Sequence, residues 1–304
     1  MSEFKIDDYV QHINMTEWGT GKIISPERDG KYDVFFEAQG KKTMQATFLK
    51  PAEKANSVIL DEVSSETDFS KSSSISDVIS YFLRLFPEGF ETQEYREHER
   101  DYKVDASNFM NECLGKTQMD ALLHDKNYSK IWEQAKRVVQ KTNLIFPQEK
   151  MALTDAINAS PEREEEFSKT LYELLHGDNT LQARFTKFSN FLGKYGALKW
   201  TTATYFLFLA DPNKYAFMKP MVMDKAAAAF SYPLNRTKDV DWATYSRLID
   251  LYDYIQKYLI ENTSLKPHDM IDVQSFIWCA DPKSYDKDGQ KEVYEERQQR
   301  LSVD

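Results

Sequence analysis

The stretch 193-GKYGALKWTTATYFLFLADPNKYAFMKPMVMDKAAAAF-230 decides how the fold of this chain is interpreted. It begins with a glycine-rich turn and continues from Trp200 to Ala210 through residues that are almost all apolar. A helix that is apolar on all sides is buried in a sizeable core. The helical pattern is interrupted at Asp211-Pro212 and again at Lys219-Pro220, and each interruption contains a charged residue. We therefore expect polar residues at the two ends of this helix to lie at the mouth of a core, where sites are common.

Helical patterns surround this stretch. Ser76-Asp77 can cap a helix whose apolar residues recur at helical spacing, and similar segments follow as far as Cys279. Few strand-like runs compete with them. The predicted fold class is α+β by domain, with a small N-terminal SH3-like β-barrel followed by a larger all-α domain over residues 76–285. Residues 286–304 are predicted to form a charged C-terminal tail.

The N-terminal part reads as short strands separated by turn residues. Such spacing, with glycine and aspartate at the breaks, predicts a small antiparallel barrel over residues 1–55. The Ser-rich stretch 64-SSETDFSKSSSISD-77 cannot bury much apolar surface, so residues 56–75 are predicted to be a linker. The expected strands are Tyr9–Val10, Thr20–Ile24, Tyr32–Glu37 and Lys42–Phe48.

This N-terminal pattern resembles the Tudor-like or SH3-like module found at the end of UvrD-type helicases and in CarD-type transcription factors. The resemblance implies an accessory binding module, with Val34 and Phe36 in its core. Trp18 is either core or, together with nearby lysines, part of a contact face for a protein or for duplex DNA. The residues that carry the resemblance are Val10, His12, Trp18-Gly19, Gly21-Lys22-Ile23, Val34, Phe36, Gly40 and Lys41-Lys42.

Charge is distributed unevenly along the chain. The 304 residues carry a net charge of −10, which by itself argues against a nucleic-acid partner. Residues 182–220, however, contain six basic residues against one acidic residue, a local net charge of +5. A basic stripe on an acidic protein can still bind DNA locally. Lysines on ordinary solvated helix faces remain the alternative. The six are Arg184, Lys187, Lys194, Lys199, Lys214 and Lys219.

Several classes of site are excluded by the sequence. There is no GxGxxG, Walker A lysine loop, HExxH, GxSxG or CxxC motif, and the five histidines lack ligand spacing. Cys113 and Cys279 are expected to be buried thiols. We therefore expect no metal and no cofactor. The acidic N-terminus and the lack of an apolar run of roughly 20 residues predict a cytoplasmic protein without a membrane partner.

The opening stretch is similar to the hairpin of helix-hairpin-helix DNA glycosylases, in which backbone amides of a glycine-rich turn hold a DNA phosphate. The resemblance implies DNA binding by Gly193, Gly196, Lys194, Lys187 and Arg184. A catalytic aspartate is expected on the loop after the buried helix; Lys219 occupies that position, and Asp224 follows five residues later. The residues carrying the resemblance are Gly196, Lys199, Trp200, Thr201, Ala203, Tyr205, Phe206, Asp211-Pro212 and Tyr215-Ala216-Phe217.

The resemblance implies that a base rotates out of the duplex into a pocket. A carboxylate would stabilise positive charge on the sugar, with Asp224 as the first candidate. Alternatively, Lys219 or Lys199 would form a Schiff base, or these lysines would only contact phosphate or cap helices. Gln274 is either a core residue or reads a base edge. Stacking partners for the base are expected among Trp200, Tyr205, Tyr215 and Phe217.

The leading hypothesis is a DNA glycosylase that removes a damaged or modified base from double-stranded DNA. The alternative is a non-catalytic adaptor that binds DNA or a protein partner, in transcription, repair or phage defence. Two further patterns are assigned structural roles. Asp269 and Asp272 are expected to cap a helix, and the run Arg96 to Arg100 is expected to be an exposed, salt-bridged helix face.

Overall fold

The computed structural model describes residues 4–24, 27, 30–36, 39–54, 60 and 74–280. These form two compact units. One contains the described residues up to Tyr81 together with Met221–Arg236, and the other contains Phe82–Pro220 and the described residues from Thr237 onward. The predicted tail, 286–304, and most of the predicted linker lie outside the described residues. An antiparallel sheet near the N-terminus precedes a large helical region, so the predicted α+β class is confirmed.

The N-terminal sheet has five antiparallel strands in the order β4-β3-β2-β1-β5. Its inner face is closed by a cluster of buried apolar side chains, including Val10, Val34 and Phe36, against which Trp18 packs while staying partly exposed. Gly21 is required at the centre, because a Cβ there would lie 2.7 Å from the Phe36 ring. The strands are β1 Tyr9–His12, β2 Thr20–Ile23, β3 Lys31–Phe36, β4 Gly40–Gln45 and β5 Leu49–Pro51.

Helices occupy most of the region from Ser76 to Cys279, where helical patterns are predicted. They are α1 Ile75–Leu85, α2 Gln93–Tyr95, α3 Asp101–Cys113, α4 Lys116–His124, α5 Tyr128–Gln140, α6 Pro147–Asn158, α7 Pro161–His176, α8 Leu181–Lys194, α9 Trp200–Ala210, α10 Pro220–Ala229, α11 Trp242–Asn262 and α12 Met270–Cys279.

Helix α9 is the buried centre of the helical unit, as its apolar sequence predicts. Ten of its eleven residues are buried. Its Phe206 ring meets Phe167 of α7 and Phe188 of α8 edge-on at 6.2 and 6.1 Å between centroids. Thr204 in the same helix is fully buried, and its hydroxyl oxygen accepts a hydrogen bond from the Met218 amide at 3.0 Å. The buried helix therefore holds the chain that follows it, up to Lys219, in a defined place.

The glycine-rich turn before α9 ends helix α8. Gly196 has φ of +77°, a conformation that favours glycine. The amide of Ala197 donates to Leu192 O at 2.8 Å and that of Gly196 donates to Gly193 O at 3.3 Å. These two bonds are the pattern of a Schellman helix end. Two amides of the turn are thus engaged in capping α8.

The segment from Arg96 to Arg100 corrects the sequence interpretation. It forms a π-helical turn between α2 and α3, and it is not a uniformly exposed face. Glu99 is buried, and Arg100 reaches Asp269 and Asp272 at 2.8 and 2.6 Å. A π-turn adds a residue to the helix and rotates the face that follows it. Ordinary α-helical spacing applied to residues 96–100 therefore places the wrong side chains in the core.

Candidate functional site

A polar cleft opens beside the segment that follows α9. It has a volume of about 10 Å³ within the helical unit, which is the space of about one water molecule. Its walls come from α3, from the loop before α6, from the residue preceding α10 and from α12. The lining side chains are Tyr102, Lys103, Asn143, Leu144, Lys219, Gln274 and Trp278.

Lys219 is held against aromatic rings in this cleft. Its side chain is 9% exposed, and Nζ lies 3.4 Å from the centroid of the Trp278 ring and 4.8 Å from that of Phe146. An ammonium over an aromatic face is attracted by the ring quadrupole, more strongly where water is excluded. The preceding backbone is anchored, because Tyr252 Oη donates to Phe217 O at 2.6 Å. Lys219 is thus a buried amine on a well-defined stretch of chain.

Gln274 presents an unsatisfied carbonyl. The residue is 2% exposed on α12 and lines the cleft, yet its Oε1 has no hydrogen-bond partner. Leaving a buried acceptor without a partner costs about 1–3 kcal/mol. Buried polar atoms in native proteins are nearly always paired, so an exception calls for an explanation. A ligand that donates to this oxygen would supply one.

A buried ion pair supports the floor of the cleft. Lys103 Nζ donates to Glu99 Oε2 at 3.3 Å and to Ser275 Oγ at 2.8 Å, and both charged side chains are almost fully buried. Burial raises the pKa of the Glu99 carboxyl, an effect that the Lys103 charge opposes. Burial and the Glu99 charge raise the pKa of Tyr102, whose hydroxyl donates to Asn143 Oδ1 at 2.9 Å. The cleft thus combines an ion pair with a neutral phenol.

Two of the predicted site residues meet in this cleft. Lys219, a predicted catalytic residue, and Gln274, a predicted base contact, both line it. The four aromatic residues predicted for the base pocket do not. Tyr205 is fully buried, with its hydroxyl bonded to Thr142 at 2.8 Å and to Val138 O at 2.9 Å. Trp200 and Phe217 are also buried, and Tyr215 is half-buried.

The other two predicted catalytic residues lie elsewhere. Asp224 belongs to the unit that contains the sheet, and Arg236 holds its carboxylate through bonds of 2.6 and 2.9 Å. Lys199 is exposed at the N-terminal boundary of α9, and its amide donates to Thr202 Oγ1 at 3.0 Å. Neither side chain lines the cleft.

The predicted DNA-binding residues lie along α8 and the turn after it. Gly193, Gly196 and Lys194 are exposed. Lys194 pairs with Glu166 of α7 at 2.8 Å, and Lys187 pairs with Glu173 of the same helix. Arg184 donates to the backbone oxygens of Leu174, in the last turn of α7, and of Asn179, in the loop after it. Two of the six basic residues of the predicted stripe are therefore paired with acidic residues of a neighbouring helix.

A larger groove between α5 and α6 has different properties. It has a volume of about 220 Å³ and is partly open to solvent, and Trp132, Lys136, Lys150 and Asp155 are among its lining residues. Its buried polar groups are satisfied, since Trp132 Nε1 donates to Asn158 and Lys150 Nζ donates to Thr142 O at 2.6 Å. No predicted site residue lines it. We therefore place the candidate site in the cleft around Lys219.

Sequence reasoning missed three important residues of the cleft: Tyr102, Lys103 and Trp278. Glu99 and Lys103 stand four residues apart, the spacing of a helical ion pair, but that signal is common on exposed helices. Gln274 and Trp278 also stand four residues apart on α12. The spacing indicates a shared face without showing that the face borders a cleft.

The protein thus has two parts. One is a small antiparallel sheet module, and the other is a helical region whose cleft contains the buried amine of Lys219 and the unsatisfied amide oxygen of Gln274. Residues 7–50 match a family described as a protein of unknown function, DUF3553, and this range coincides with the sheet. Comparison with curated proteins and with solved structures gives no match. Among the described residues, no helix is long and apolar enough to cross a membrane, and no cluster of metal-ligating side chains occurs.

Proposed function

We propose that this chain is a DNA glycosylase that excises a damaged or modified base, with Lys219 as the amine that reacts with the sugar. The observation that carries the proposal is the position of Lys219 on the Trp278 ring, in a cleft where Gln274 has a carbonyl without a partner. A flipped nucleotide would bring a flat base and a sugar to this cleft, whose walls would have to open to admit it. The resemblance of the Gly193–Phe230 segment to glycosylase hairpins supports the same activity.

The reaction uses Lys219 as a nucleophile. Its neutral amine forms an N–C1′ bond while the N-glycosidic bond breaks, and the base leaves with the electron pair. The amine nitrogen loses a proton and the departing base gains one. Ring opening then gives an imine between Lys219 and C1′, and water hydrolyses it to an abasic site. A lysine reacts as a nucleophile only in its neutral form, so the Lys219 ammonium has to lose a proton before this step.

The surroundings of Lys219 assist the departing base. Negative charge develops on that base as the bond breaks, and preorganised cations in a water-excluded site stabilise such charge. The ammonium of Lys103 lines the cleft and is held in place by Glu99 and Ser275. Asp224 has no catalytic role in this mechanism, because Arg236 already binds its carboxylate.

The exposed turn and helix α8 are proposed to contact the DNA backbone. Lys199 and the amides at the start of α9 would meet a phosphate, and Lys187 and Lys194 would exchange their glutamate partners for phosphates. Phosphate contacts release counterions, so binding should weaken steeply as salt is raised. A double-stranded DNA partner in the cytoplasm fits roles in repair and in defence against phages with modified DNA.

For the N-terminal sheet we propose a Tudor-like or SH3-like accessory module that binds a protein partner or duplex DNA. His12 lies between Trp18 and Phe48, with ring centroids at 5.0 and 5.8 Å, and Phe48 is 42% exposed. Lys42 Nζ lies 5.6 Å from the Trp18 ring. Aromatic side chains at a surface with a nearby cation are typical of contact faces.

One observation favours the alternative, a non-catalytic adaptor that holds a modified base without cutting it. Among the described residues, the lining of the cleft includes no carboxylate. Glycosylase chemistry that relies on a carboxylate to stabilise the sugar cation would have no group there. The two functions share the flipped base and differ in whether Lys219 reacts.

Duplexes that each carry one modified base separate these functions. The purified chain is incubated with each duplex, and abasic sites are detected by alkaline cleavage. We expect strand cleavage with at least one duplex, a loss of roughly 100-fold or more in Lys219→Gln, and near wild-type rates in Asp224→Asn. Lys199→Gln is the matched control, which should weaken binding without changing single-turnover rates. Tight binding without cleavage across the panel would establish the adaptor instead.

A further inference from the structure

A basic surface lies where α5 ends and α6 begins. Residues 136–150 contain four basic residues and one acidic residue, a local net charge of +3. The acidic residue, Glu149, already serves the fold, because its Oε2 accepts from the Phe146 amide at 3.1 Å. Positive charge therefore predominates along this segment. We call it the Phe146 surface, and its members are Phe146, Lys136, Arg137, Lys141 and Lys150.

The basic side chains of the Phe146 surface contact a ring and a neutral oxygen. The Arg137 guanidinium and the Lys141 ammonium lie over the Phe109 ring, 4.8 and 4.9 Å from its centroid. Lys150 Nζ donates to Thr142 O at 2.6 Å. By contrast, two lysines of α8 are paired with glutamates of α7. The Phe146 surface therefore keeps more of its charge for a partner than α8 does.

Nearby carboxylates do not reverse this charge. Glu133 of α5 is bonded to Lys130 at 2.9 Å, which offsets its charge. Asp155 lines the groove between α5 and α6 together with Lys136 and Lys150, so two cations accompany one carboxylate there. The balance stays positive. A surface of this kind attracts the phosphates of a nucleic acid even when the whole chain is acidic.

Phe146 exposes an aromatic ring on this surface. The side chain is 44% exposed and immediately precedes α6. An aromatic ring beside cations suits a nucleic acid, because bases stack on the ring while the cations contact the backbone. In an intact duplex both faces of each base are already stacked. Only an unpaired base therefore has a face available to the Phe146 ring.

We propose that the Phe146 surface binds single-stranded DNA, with one base stacked on Phe146 and the backbone held by the basic side chains. This binding activity goes beyond the proposed glycosylase, which acts on a duplex, and does not depend on it. Arg137 and Lys141 contact neighbouring phosphates, since a single ring holds both cations. Lys136 and Lys150 bind the strand where it passes the groove between α5 and α6.

The role of the ring is tested with a short fluorescein-labelled oligo(dT), whose dissociation constant for the full chain is measured by fluorescence anisotropy. Phe146→Ala should bind it roughly tenfold more weakly, and Phe146→Trp should bind at least as tightly as the wild type. Ile260→Ala, at a side chain of similar exposure on α11, is the matched control and should bind like the wild type. A duplex of the same length should not distinguish Phe146→Ala from the wild type.

Two results of this measurement overturn the inference. One is equal binding of oligo(dT) by Phe146→Ala and the wild type. The other is an equal loss of affinity for oligo(dT) and for the duplex, which would mean that the ring enters paired DNA. Neither result bears on cleavage of modified duplexes, which tests the glycosylase proposal separately.

The role of the charges is tested through salt dependence. Replacing both Arg137→Gln and Lys141→Gln should reduce the slope of log Kd against log salt concentration by about 1.4, because each lost phosphate contact on a single strand removes about 0.7. The control replaces Lys116→Gln and Lys169→Gln, two exposed lysines of α4 and α7, and should leave the slope unchanged. An unchanged slope in the first variant, or an equal change in both, overturns the inference.

Discussion

Two buried polar residues of helix α12, Asp272 and Gln274, differ sharply in how their hydrogen bonds are used. Asp272 accepts from Tyr95 Oη and Arg100 Nη1, each at 2.6 Å, and from the amide and ring of His268, at 2.8 and 2.7 Å. Gln274, two residues later, leaves its carbonyl oxygen without a partner. Both side chains are almost completely buried.

The difference separates a structural role from a functional one. A carboxylate that receives four hydrogen bonds ties together α2, the π-turn and the start of α12, and nothing remains for a ligand. An amide that keeps an empty acceptor costs stability unless a ligand completes it. Sites of function are the places where such costs are retained. The comparison leads to predictions in which the two residues behave in opposite ways.

The largest effect is expected for Asp272→Ala. Removal of this carboxylate leaves the partly buried guanidinium of Arg100 with Asp269 alone, and the buried hydroxyl of Tyr95 loses its acceptor. Breaking a buried ion pair on one side costs about 3–5 kcal/mol, and we expect a loss near the upper end. Urea denaturation measures it. Asp155→Ala, at an exposed carboxylate, is the control. A similar loss of stability in both variants would show that the hydrogen bonds of Asp272 do not stabilise the fold as we claim.

A somewhat smaller loss, about 3 kcal/mol, is expected for Lys103→Met, because it leaves the buried carboxylate of Glu99 without its cation. Replacing both partners, in Glu99→Leu with Lys103→Met, should cost less than the single change, since no charge then remains buried. Lys130→Met removes an exposed pair and serves as the control. A double variant less stable than Lys103→Met would contradict this account of the pair.

The same pair predicts a dependence on pH. Burial raises the pKa of Glu99 above its ordinary value of 4.5, so the folded chain holds this proton more tightly than the unfolded chain. Stability from Glu99 is therefore complete below about 4.5 and declines as pH rises through the raised pKa. The free energy of unfolding, measured by urea at several pH values, should fall less over this window in Glu99→Gln. If the free energy of unfolding depended on pH in the same way in the variant and the wild type, the raised pKa of Glu99 would be refuted.

Gln274→Met should behave in the opposite way to Asp272→Ala. It removes an unsatisfied acceptor at nearly constant volume, so we expect unchanged stability or a gain of about 1 kcal/mol. Thermal unfolding of the DNA-free protein provides the measurement. A loss above about 2 kcal/mol would mean that the amide already serves the fold. In that event the contrast with Asp272 would disappear.

The smallest effect is expected at the surface. Lys194→Ala removes the pair with Glu166, which lies at the surface with both side chains more than a third exposed. Such pairs contribute about 0.2–1 kcal/mol and are screened by salt. Hydrogen bonds from Lys194 and Tyr195 lower the pKa of Glu166, so their stabilisation is present above pH 4.5 and is lost as pH falls. Urea denaturation measures the free energy of unfolding. A loss well above about 1 kcal/mol in Lys194→Ala at neutral pH would contradict a surface role for this pair.

Much of the fold could be predicted because local patterns determine it. Helix α9 is apolar on every side, which leaves burial as its only stable arrangement. The strands near the N-terminus are bounded by turn residues, and the structure places strands in each of those runs. Lys219 could be singled out because it lies where the helical pattern is interrupted before Pro220, and Gln274 because it is a polar residue within an apolar helix.

The remainder of the site depends on contacts between distant parts of the sequence. Lys103 and Ser275 are bonded although 172 residues separate them. Glu99 belongs to a run of alternating charges that is typical of exposed helices, and the π-turn changes which side is buried. Likewise, the charge of residues 182–220 gives no information about Glu166 and Glu173, which lie beside it only after folding.

The most direct test of the central claim is borohydride trapping of the chain on a duplex with a cleavable modified base, followed by peptide mapping of the adduct by mass spectrometry. Borohydride reduces an imine to a stable secondary amine, so the reacting lysine keeps the sugar. We predict one adduct, on the peptide that contains Lys219, and none in Lys219→Gln. Base release without any adduct, or an adduct on Lys199, would contradict the role assigned to the cleft.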